Sequence, residues 1–458
     1  MVNLQIEHTA DGASKAVTYL RSKLDNVDQL INKKSRYVSC PKVPPILRND
    51  ERSKEYFDPK IVSFGPYHHG KPELRAVETI KTKVILEFIL KHEKSIEDLY
   101  LKVLELNDYA KSCYVDGSTD AYDNDDEAFA LMMLQDSCFI LALFEYEAFV
   151  SKYLDIFQYR YALLDTILLE NQIPFRVLNV LMSNIYKENE GLTMIKSYLY
   201  RTHWGNFQKE DTRDEKEEEP HHLLGLLKTL ISKRSDHVGT VAENVETVAK
   251  NVGFGMDLTH YLQSFGSVTD LQAKGINFKP SNSICLHSAK NEKPKSISLR
   301  DVEFRSGFFT GELKLPLLVL SSDSEGYYKN LIASEMCAHT DFTVASYITF
   351  MNSLIANPED VKVLRSKHII LHTRRSDEEV FKMLKEISAI NWVQDFSIYQ
   401  GVREKIEKHH NNKIKILIAE VRHKYFSHSW SAIGLLAAIV AIFLSFLQTF
   451  YTIYSRKC

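Results

Sequence analysis

The sequence predicts a mainly α-helical protein with a small antiparallel β segment, an α+β fold, and one C-terminal transmembrane helix. Three observations predict this. Apolar residues recur at spacings of three and four over most of the chain, which is typical of amphipathic helices. Short alternating runs separated by turn residues fill 275–322. An uncharged apolar run occupies 432–454. A polar N-terminal segment (1–36) precedes the main, largely helical domain (37–426).

The helical patterns of the main domain follow one another from Pro72. The spacing predicts one long amphipathic helix from Pro72 to Val103. The run Phe129–Phe144 is apolar almost all round, so we expect a buried helix there. A further helical pattern, Tyr161–Met182, contains Pro174, which kinks or breaks a helix. The acidic stretches 116–127 and 209–222 are predicted to be flexible loops.

The second half of the domain changes from strands back to helices. Runs such as GINFKP, SISLRDVEF and FFTGELKL predict the small antiparallel sheet. Helical spacing returns at Tyr327 and continues through EDVKVLRSKHII. A last amphipathic helix is expected within Phe396–Phe426, leading into the apolar run. The N-terminal segment carries one short helical pattern, Val17–Ile31.

The apolar run Ala432–Tyr454 is long enough to cross a hydrocarbon core of about 30 Å as a helix. Trp430 at one end and Tyr451 and Tyr454 at the other match the aromatic residues that favour membrane interfaces. The alternative is a buried core helix, which rarely runs so long without a charge. The run therefore predicts a lipid bilayer as one partner of this protein.

Charged and cysteine residues indicate how the protein is oriented. More basic residues precede the apolar run than follow it: Lys413, Lys415, Arg422 and Lys424 against Arg456 and Lys457. This bias predicts a single-pass, tail-anchored protein with a cytosolic body, in the plasma membrane or an endomembrane. The six cysteines form no CxxC pair, and no Asn-x-Ser/Thr sequon occurs, as expected on the reducing side of a membrane.

Composition excludes several classes of function. The 57 Lys and Arg and 60 Asp and Glu residues give a net charge of −3, so no nucleic acid partner is expected. The 44% hydrophobic and 26% charged residues are ordinary for a globular protein. A collagen-like, fully disordered or multi-pass membrane protein is excluded. Phosphate-binding loops, HExxH and GxSxG motifs are absent from the sequence, so no cofactor is assigned.

Several segments, in this order, resemble a large land-plant family, domain-of-unknown-function family 247. They include SFGPYHHGKPEL (Ser63–Leu74), MMLQDSCFI (Met132–Ile140) and LLENQIPF (Leu168–Phe175), and the resemblance covers about residues 40 to 455. It implies a mostly helical, plant-specific, membrane-anchored protein, in a family without an established reaction. Some grass members are implicated in self-incompatibility, and others are linked to defence or growth. The sequence departs from the usual pattern at His368, where a glycine is common.

Histidine and cysteine residues are the first candidates for metal binding and for nucleophilic catalysis. His68 and His69 are the most obvious candidates for metal ligands, but adjacent histidines point in different directions and seldom bind one ion together. Other ligands would come from distant histidines, namely His221, His222, His409 and His410. Cys138 lies among Phe139, Ile140 and Leu141, which favours an inert buried thiol over a nucleophile.

Acidic residues inside the apolar patterns are the remaining candidates. Asp136, Asp165 and Glu170 would be a general acid–base pair or members of a structural polar network, and the network is favoured. The nearby donors in the sequence are Asn171, Gln172, Arg160 and Arg176. No catalytic, cofactor or metal site is assigned.

Two functions of different classes remain. The favoured one is a non-catalytic, membrane-anchored recognition or signalling protein, acting through protein partners in self-incompatibility, defence or growth. The alternative is an unrecognised membrane-localised hydrolase or transferase whose site is assembled from distant residues.

Overall fold

Most of the main domain and part of the apolar tail are described by the computed structural model. The described residues are 38–49, 51–145, 150, 152–204, 219–233, 266–281, 298–307, 310–338, 341–374, 376–389, 396–410, 437 and 440–450. Three sequence predictions therefore lie outside them: the helical pattern Val17–Ile31, most of the acidic stretch 209–222, and the basic residues on both sides of the apolar run.

One buried apolar helix, α5, organises the N-terminal half. It packs against α2, α3, α7 and α8, and its residues from Phe129 to Phe144 are buried apart from Leu131 and Gln135. The predicted burial of this run is confirmed. The helices of this half are α1 Glu51–Phe57, α2 Arg75–Lys91, α3 Ile96–Leu104, α4 Asn107–Ser112, α5 Asp126–Glu145, α6 Ile156–Asp165, α7 Phe175–Ile185, α8 Glu190–Trp204 and α9 Leu223–Ser232.

In the C-terminal half, α11, α12 and α14 pack on one another, and α11 also packs on α1 of the other half. The buried apolar side chains of both halves form one continuous core. The helices of this half are α10 Val268–Ala273, α11 Ser324–Ala338, α12 Thr343–Leu354, α13 Pro358–Ser366, α14 Asp377–Ala389 and α15 Gln400–His410. A separate apolar helix, α16, spans Val440–Phe450.

The predicted long helix from Pro72 to Val103 is wrong, because the chain forms two helices there. Helix α2 ends at Lys91, and Glu93 adopts a left-handed φ of 54°, which a continuous helix does not allow. Ser95 then caps α3 by accepting the Asp98 N–H at 3.1 Å. The break predicted at Pro174 is confirmed, since α6 ends at Asp165 and α7 begins directly after Pro174.

The predicted strand-rich part is confirmed as a small sheet, but its antiparallel direction is largely wrong. Strand β3 (Gly311–Leu315) pairs in parallel with β1 (Ile276–Pro280) and antiparallel with β2 (Glu303–Ser306). Strand β4 (Leu318–Leu320) pairs in parallel with β5 (Ile370–His372) across a connection that contains three helices. Alternating burial is common to both pairing directions, so the pattern predicts strands without predicting their partners.

Strand β5 was predicted as part of a helix. Helix α13 ends at Ser366, and His368, with a φ of 56°, turns the chain into the strand. A left-handed φ is the conformation that glycine adopts most readily. A glycine at this position would therefore adopt the observed backbone with less strain than His368.

Two apolar helices bear on the predicted membrane span. Among the described residues, one helix is long and apolar enough to cross a membrane by length and composition, and it is the mostly buried α5. Of the predicted span 432–454, the structure describes chiefly α16, whose 11 residues reach about 16 Å. The predicted C-terminal helix is thus confirmed only as a short apolar helix.

Candidate functional site

The candidate site begins with a segment, Lys60–Gly65, that is neither helix nor strand and pairs with none of the described strands. The Asp165 carboxylate at the end of α6 accepts the N–H groups of Lys60, Ile61 and Val62 at 2.8–3.2 Å. Asn171 accepts the Phe64 N–H at 2.7 Å and donates to the Val62 carbonyl at 3.0 Å. Buried backbone N–H and C=O groups need hydrogen-bond partners. The Asp165 and Asn171 side chains supply here the bonds that a neighbouring strand would otherwise supply.

A buried ion pair continues this arrangement at the end of the segment. Asp136 of α5 accepts the Gly65 N–H and the Lys81 ammonium, both at 2.7 Å. Lys81 also donates to the Ser63 carbonyl and to Glu78, both at 2.9 Å. Lys81 and Asp136 are each only 1% exposed. Burial raises the pKa of Asp136, while the ammonium and the Gly65 N–H oppose that rise.

Gly65 is required for steric reasons. Its φ is 74°, and a Cβ there would lie 2.7 Å from the Tyr114 hydroxyl and 2.8 Å from the Gln172 carbonyl oxygen. A side chain would therefore strain the backbone and collide with two groups that are themselves buried. The turn GPYHHG is thus tied sterically to the segment LLENQIPF.

We call the contact between the GPYHHG turn and the LLENQIPF segment the junction. Gln172 connects this junction to α9. Its amide donates to the carbonyls of Thr166 and Leu168 at 2.8 and 2.7 Å and accepts the Leu224 N–H at 3.1 Å. At the start of α9, His222 Nδ1 accepts the Gly225 N–H at 3.0 Å. Burial lowers the pKa of His222 to about 3, so the capping imidazole is neutral.

The three acids lie in separate parts of one structural network. In the described ranges, Asp136, Asp165 and Glu170 share no hydrogen-bond partner, so the geometry shows no acid–base pair among them. Burial raises the pKa of Asp165 to about 7, and its three backbone N–H groups oppose that rise. The described contacts therefore favour a structural polar network over an acid–base pair for these three residues.

Only two of the four hydrogen-bond donors predicted from the sequence belong to this network. Asn171 and Gln172 do belong to the network, whereas Arg160 pairs with Asp323 and Arg176 lies over the Tyr109 ring. Glu170 is instead bound by Arg48, which lies 122 positions away in the sequence. Local spacing carries no signal for such a pair.

Cys138 is a poor nucleophile in this environment. Its side chain is fully buried in α5, and burial raises the pKa of the thiol to about 12. The reactive thiolate is therefore not populated near neutral pH.

An open groove of about 740 Å³ lies beside the junction. Its walls are largely apolar. Its polar floor is formed by Arg48 and Asp58, which flank α1 in the sequence, by His68 of the GPYHHG turn and by Glu170 of the LLENQIPF segment. The groove is lined by Val38, Pro41, Lys42, Val43, Pro44, Pro45, Arg48, Asp58, Tyr67, His68, Lys71, Val115, Glu170 and Cys337. Burial raises the pKa of the Cys337 thiol at this groove to about 11, so it too is protonated.

The floor of the groove holds two carboxylates, one guanidinium and one imidazole. Glu170 accepts the Val43 N–H at 2.7 Å and Arg48 Nη2 at 2.5 Å. Arg48 Nη1 donates to Asp58 at 2.8 Å. His68 Nε2 lies 3.7 Å from Glu170 Oε2. One potential ligand atom from each of Asp58, His68 and Glu170 lies within 4.8 Å of the other two.

His68 is the unusual member of this cluster. It is 3% exposed, and neither ring nitrogen has a hydrogen-bond partner in the described part of the chain. Burial lowers the pKa of His68 to about 4, and Lys71, Arg48 and Lys42 act in the same direction while Asp58 opposes them. The imidazole is therefore neutral near neutral pH, and its approach to Glu170 is not an ion pair.

The other predicted histidines lie apart from this cluster. His69 is exposed and its ring lies 6.4 Å from that of Tyr122. His221 is exposed, His222 caps α9, and His409 bonds Ser306 at 2.9 Å. The side chain of His410 lies outside the described residues. Asp58, by contrast, was missed by sequence reasoning because it sits in a polar turn with no distinguishing pattern.

The fold and the junction define a class: a mainly helical domain in which two sequence motifs, far apart in the chain, satisfy each other's buried polar groups. Comparison with known proteins identifies the family. The sequence matches the profile of DUF247, described as "Plant protein of unknown function", over residues 40–444. The chain therefore belongs to this family, which confirms the resemblance.

Two curated relatives come from Arabidopsis thaliana. "UPF0481 protein At3g47200" is 26% identical over 426 residues, covering 87% of this chain and 83% of that protein. "Putative UPF0481 protein At3g02645" is 26% identical over 190 residues, covering 41% of this chain and 33% of that protein. No solved structure matches the chain.

Proposed function

We propose that this chain is a non-catalytic, membrane-anchored plant recognition or signalling protein that acts by binding other proteins. One observation carries the membrane part of the proposal. Six large apolar side chains of α16, from Val440 to Phe450, are between 48% and 70% exposed. Such a surface needs an apolar partner. An uncharged helix that lies within the apolar run 432–454 is suited to lipid.

The junction supports the non-catalytic part of the proposal. The candidate acids are engaged in holding the Lys60–Gly65 segment and its surroundings, and Cys138 is protonated in apolar packing. Groups that must hold the fold are poorly placed to change partners during a reaction. The alternative of a membrane-localised hydrolase or transferase draws less support from these contacts.

The orientation follows from the basic residues before the apolar run. With the body on the cytosolic side, its free cysteines Cys40, Cys113 and Cys138 lie in a reducing compartment. The protein would sit in the plasma membrane or an endomembrane as a single-pass, tail-anchored protein. The family resemblance suggests self-incompatibility, defence or growth as the process.

Protease protection in intact vesicles tests the orientation. A chain tagged at its N-terminus is expected to lose the tag to added protease without detergent, because the body faces the outside of the vesicle. A vesicle-enclosed tag that is cleaved only after detergent would overturn the proposed topology. A lumenal marker protein serves as the control for vesicle integrity.

Proximity labelling tests the partner-binding role. The full chain and a chain ending before residue 432 are expressed at equal levels. We expect a reproducible set of labelled proteins with the full chain that is depleted with the shortened one. The absence of any reproducible neighbour, together with normal function of the shortened chain, would contradict the proposal.

A further inference from the structure

We propose that Asp58, His68 and Glu170 form a binding site for one divalent transition-metal ion, best represented by Zn²⁺, at the floor of the open groove. The site is independent of the membrane-anchoring proposal, because it depends on the main domain alone.

The donor set suits such an ion. It offers one imidazole nitrogen and two carboxylate oxygens, which Zn²⁺ binds at about 2.0–2.2 Å. The three atoms already lie within 4.8 Å of one another. Bringing each of them onto one ion requires only small side-chain rotations, since Asp58 is in a turn and half-exposed.

His68 is the independent observation that points to a ligand. Two carboxylates beside an arginine are explained by the ion pairs they make. These ion pairs do not explain a buried imidazole whose two nitrogens have no hydrogen-bond partner among the described residues. Burial of a polar group without a hydrogen bond is unfavourable. Its Nε2 faces Glu170 Oε2 at 3.7 Å, too far for a hydrogen bond but suitable for two ligands of one ion.

The imidazole of His68 selects among ions. Mg²⁺ and Ca²⁺ prefer sites made of oxygen ligands alone, whereas Zn²⁺ accepts mixed nitrogen and oxygen ligands.

Arg48 has two opposing effects on this site. Its hydrogen bonds to Asp58 and Glu170 hold both carboxylates in place, as second-shell groups do at metal centres. Its positive charge reduces the combined charge of the two carboxylates and itself to −1. Lys42 and Lys71 add further positive charge around the groove. We therefore expect weaker binding than at a cysteine-rich structural zinc site.

The groove leaves room for a further ligand. Three protein donors leave at least one position on a four-coordinate ion open, and this position faces the groove. Water or an acidic group of a binding partner would occupy it.

Calorimetric titration of the full chain in detergent micelles with Zn²⁺ tests the site. We expect one ion per chain and a roughly tenfold or larger loss of affinity in His68→Ala. His69→Ala is the matched control, because this neighbouring histidine is exposed and outside the cluster; its affinity should equal that of the wild type. Because His68 makes no hydrogen bond to the residues that the structure describes, His68→Ala is expected to fold, which circular dichroism verifies.

One further measurement separates this site from the cysteines. Co²⁺ bound in place of Zn²⁺ should show no thiolate-to-cobalt charge-transfer absorption.

The proposal is overturned if the wild-type chain binds no Zn²⁺, or if His68→Ala binds it as tightly as His69→Ala does. A thiolate absorption band with Co²⁺ would also overturn it, because the ion would then lie on a cysteine.

Discussion

Helices α5 and α16 are both strongly apolar, but they lie in opposite surroundings. Helix α5 is enclosed by six other helices, and nearly all its side chains between Phe129 and Phe144 are buried. Helix α16 exposes large apolar side chains along its whole described length. Length and composition single out α5 as the described helix that could cross a membrane, because the described part of α16 is shorter. The comparison teaches that the contacts of a helix, and not its apolar content, distinguish a core helix from a helix with an exposed apolar surface.

The charged residue inside α5 explains the difference. Asp136 lies in the middle of the apolar run and is satisfied by Lys81 and the Gly65 N–H, which only the folded body supplies. In a bilayer, an aspartate at the centre of a helix costs about 3 kcal/mol. Helix α16 contains no charged residue that would need such partners.

The largest expected effect compares the same substitution in the two helices. Phe139→Ala in α5 removes a fully buried ring, so we expect about 3–5 kcal/mol lower free energy of unfolding of the body. Phe443→Ala in α16 removes a ring that is 60% exposed and should leave that free energy unchanged. Guanidinium unfolding in detergent, followed by circular dichroism, measures both. Equal losses would mean that α16 is part of the core.

A charge introduced into α16 tests whether this helix inserts into lipid. Leu444→Arg is expected to weaken membrane partitioning by about 3 kcal/mol, roughly a hundredfold, because arginine is costly within a bilayer. The body should keep its stability. Flotation with phosphatidylcholine and phosphatidylserine liposomes measures the change, and Leu131→Arg at the exposed position of α5 is the control. Unaltered flotation of Leu444→Arg would contradict lipid insertion of α16.

Acidification is expected to affect the body and spare α16, which has no titratable group. The folded-state pKa of His222, about 3, lies below its unfolded value of about 6.5. The unfolded chain therefore binds the proton first, and stability is lost as pH falls from 6.5 toward 3. We expect His222 to contribute about 2 kcal/mol of this loss between pH 6.5 and 4.5.

The His222 contribution is isolated by difference. The raised pKa values of Asp165 and Glu335, about 7 and 8, act in the opposite sense, because these acids favour the folded state as pH falls below them. His222→Asn keeps a cap for Gly225 and removes the titration, so its unfolding free energy should vary less with acid than that of His221→Asn, the exposed control. Identical pH profiles of the two variants would show that His222 is not the responsible group.

The smallest expected effect lies within α5 itself. Leu131 is 46% exposed although its helix is buried, so Leu131→Gln should alter the unfolding free energy by no more than about 0.5 kcal/mol. The same guanidinium titration measures it. A loss near that of Phe139→Ala would indicate that this face of α5 is covered in the protein.

Features set by local chemistry were the predictable ones. Burial of α5, the break at Pro174 and the existence of short strands all follow from apolar spacing or from the missing N–H of proline. Features that join distant residues were not predictable. Lys81 and Asp136 are 55 positions apart, and nothing near either residue indicates the other. The same holds for Arg48 with Glu170, and for the parallel pairing of β4 with β5.

The candidate site shows the same division. Asp136, Asp165 and Glu170 were predicted to join a polar network because they interrupt apolar patterns. The backbone N–H groups within Lys60–Gly65 that bind Asp136, Asp165 and Asn171 carry no signal in side-chain identity. Of the metal ligands that we propose, His68 was already a candidate from the sequence. Its combination with the turn residue Asp58 and the network acid Glu170 was missed, because these three residues are far apart in the chain.

Carbonate extraction of microsomes is the most direct test of the claim that α16 holds this protein in lipid while α5 does not. The full chain should stay in the membrane pellet at alkaline pH, and a chain ending before residue 432 should move to the supernatant although it retains α5. Release of the full chain, or retention of the shortened one, would contradict the account.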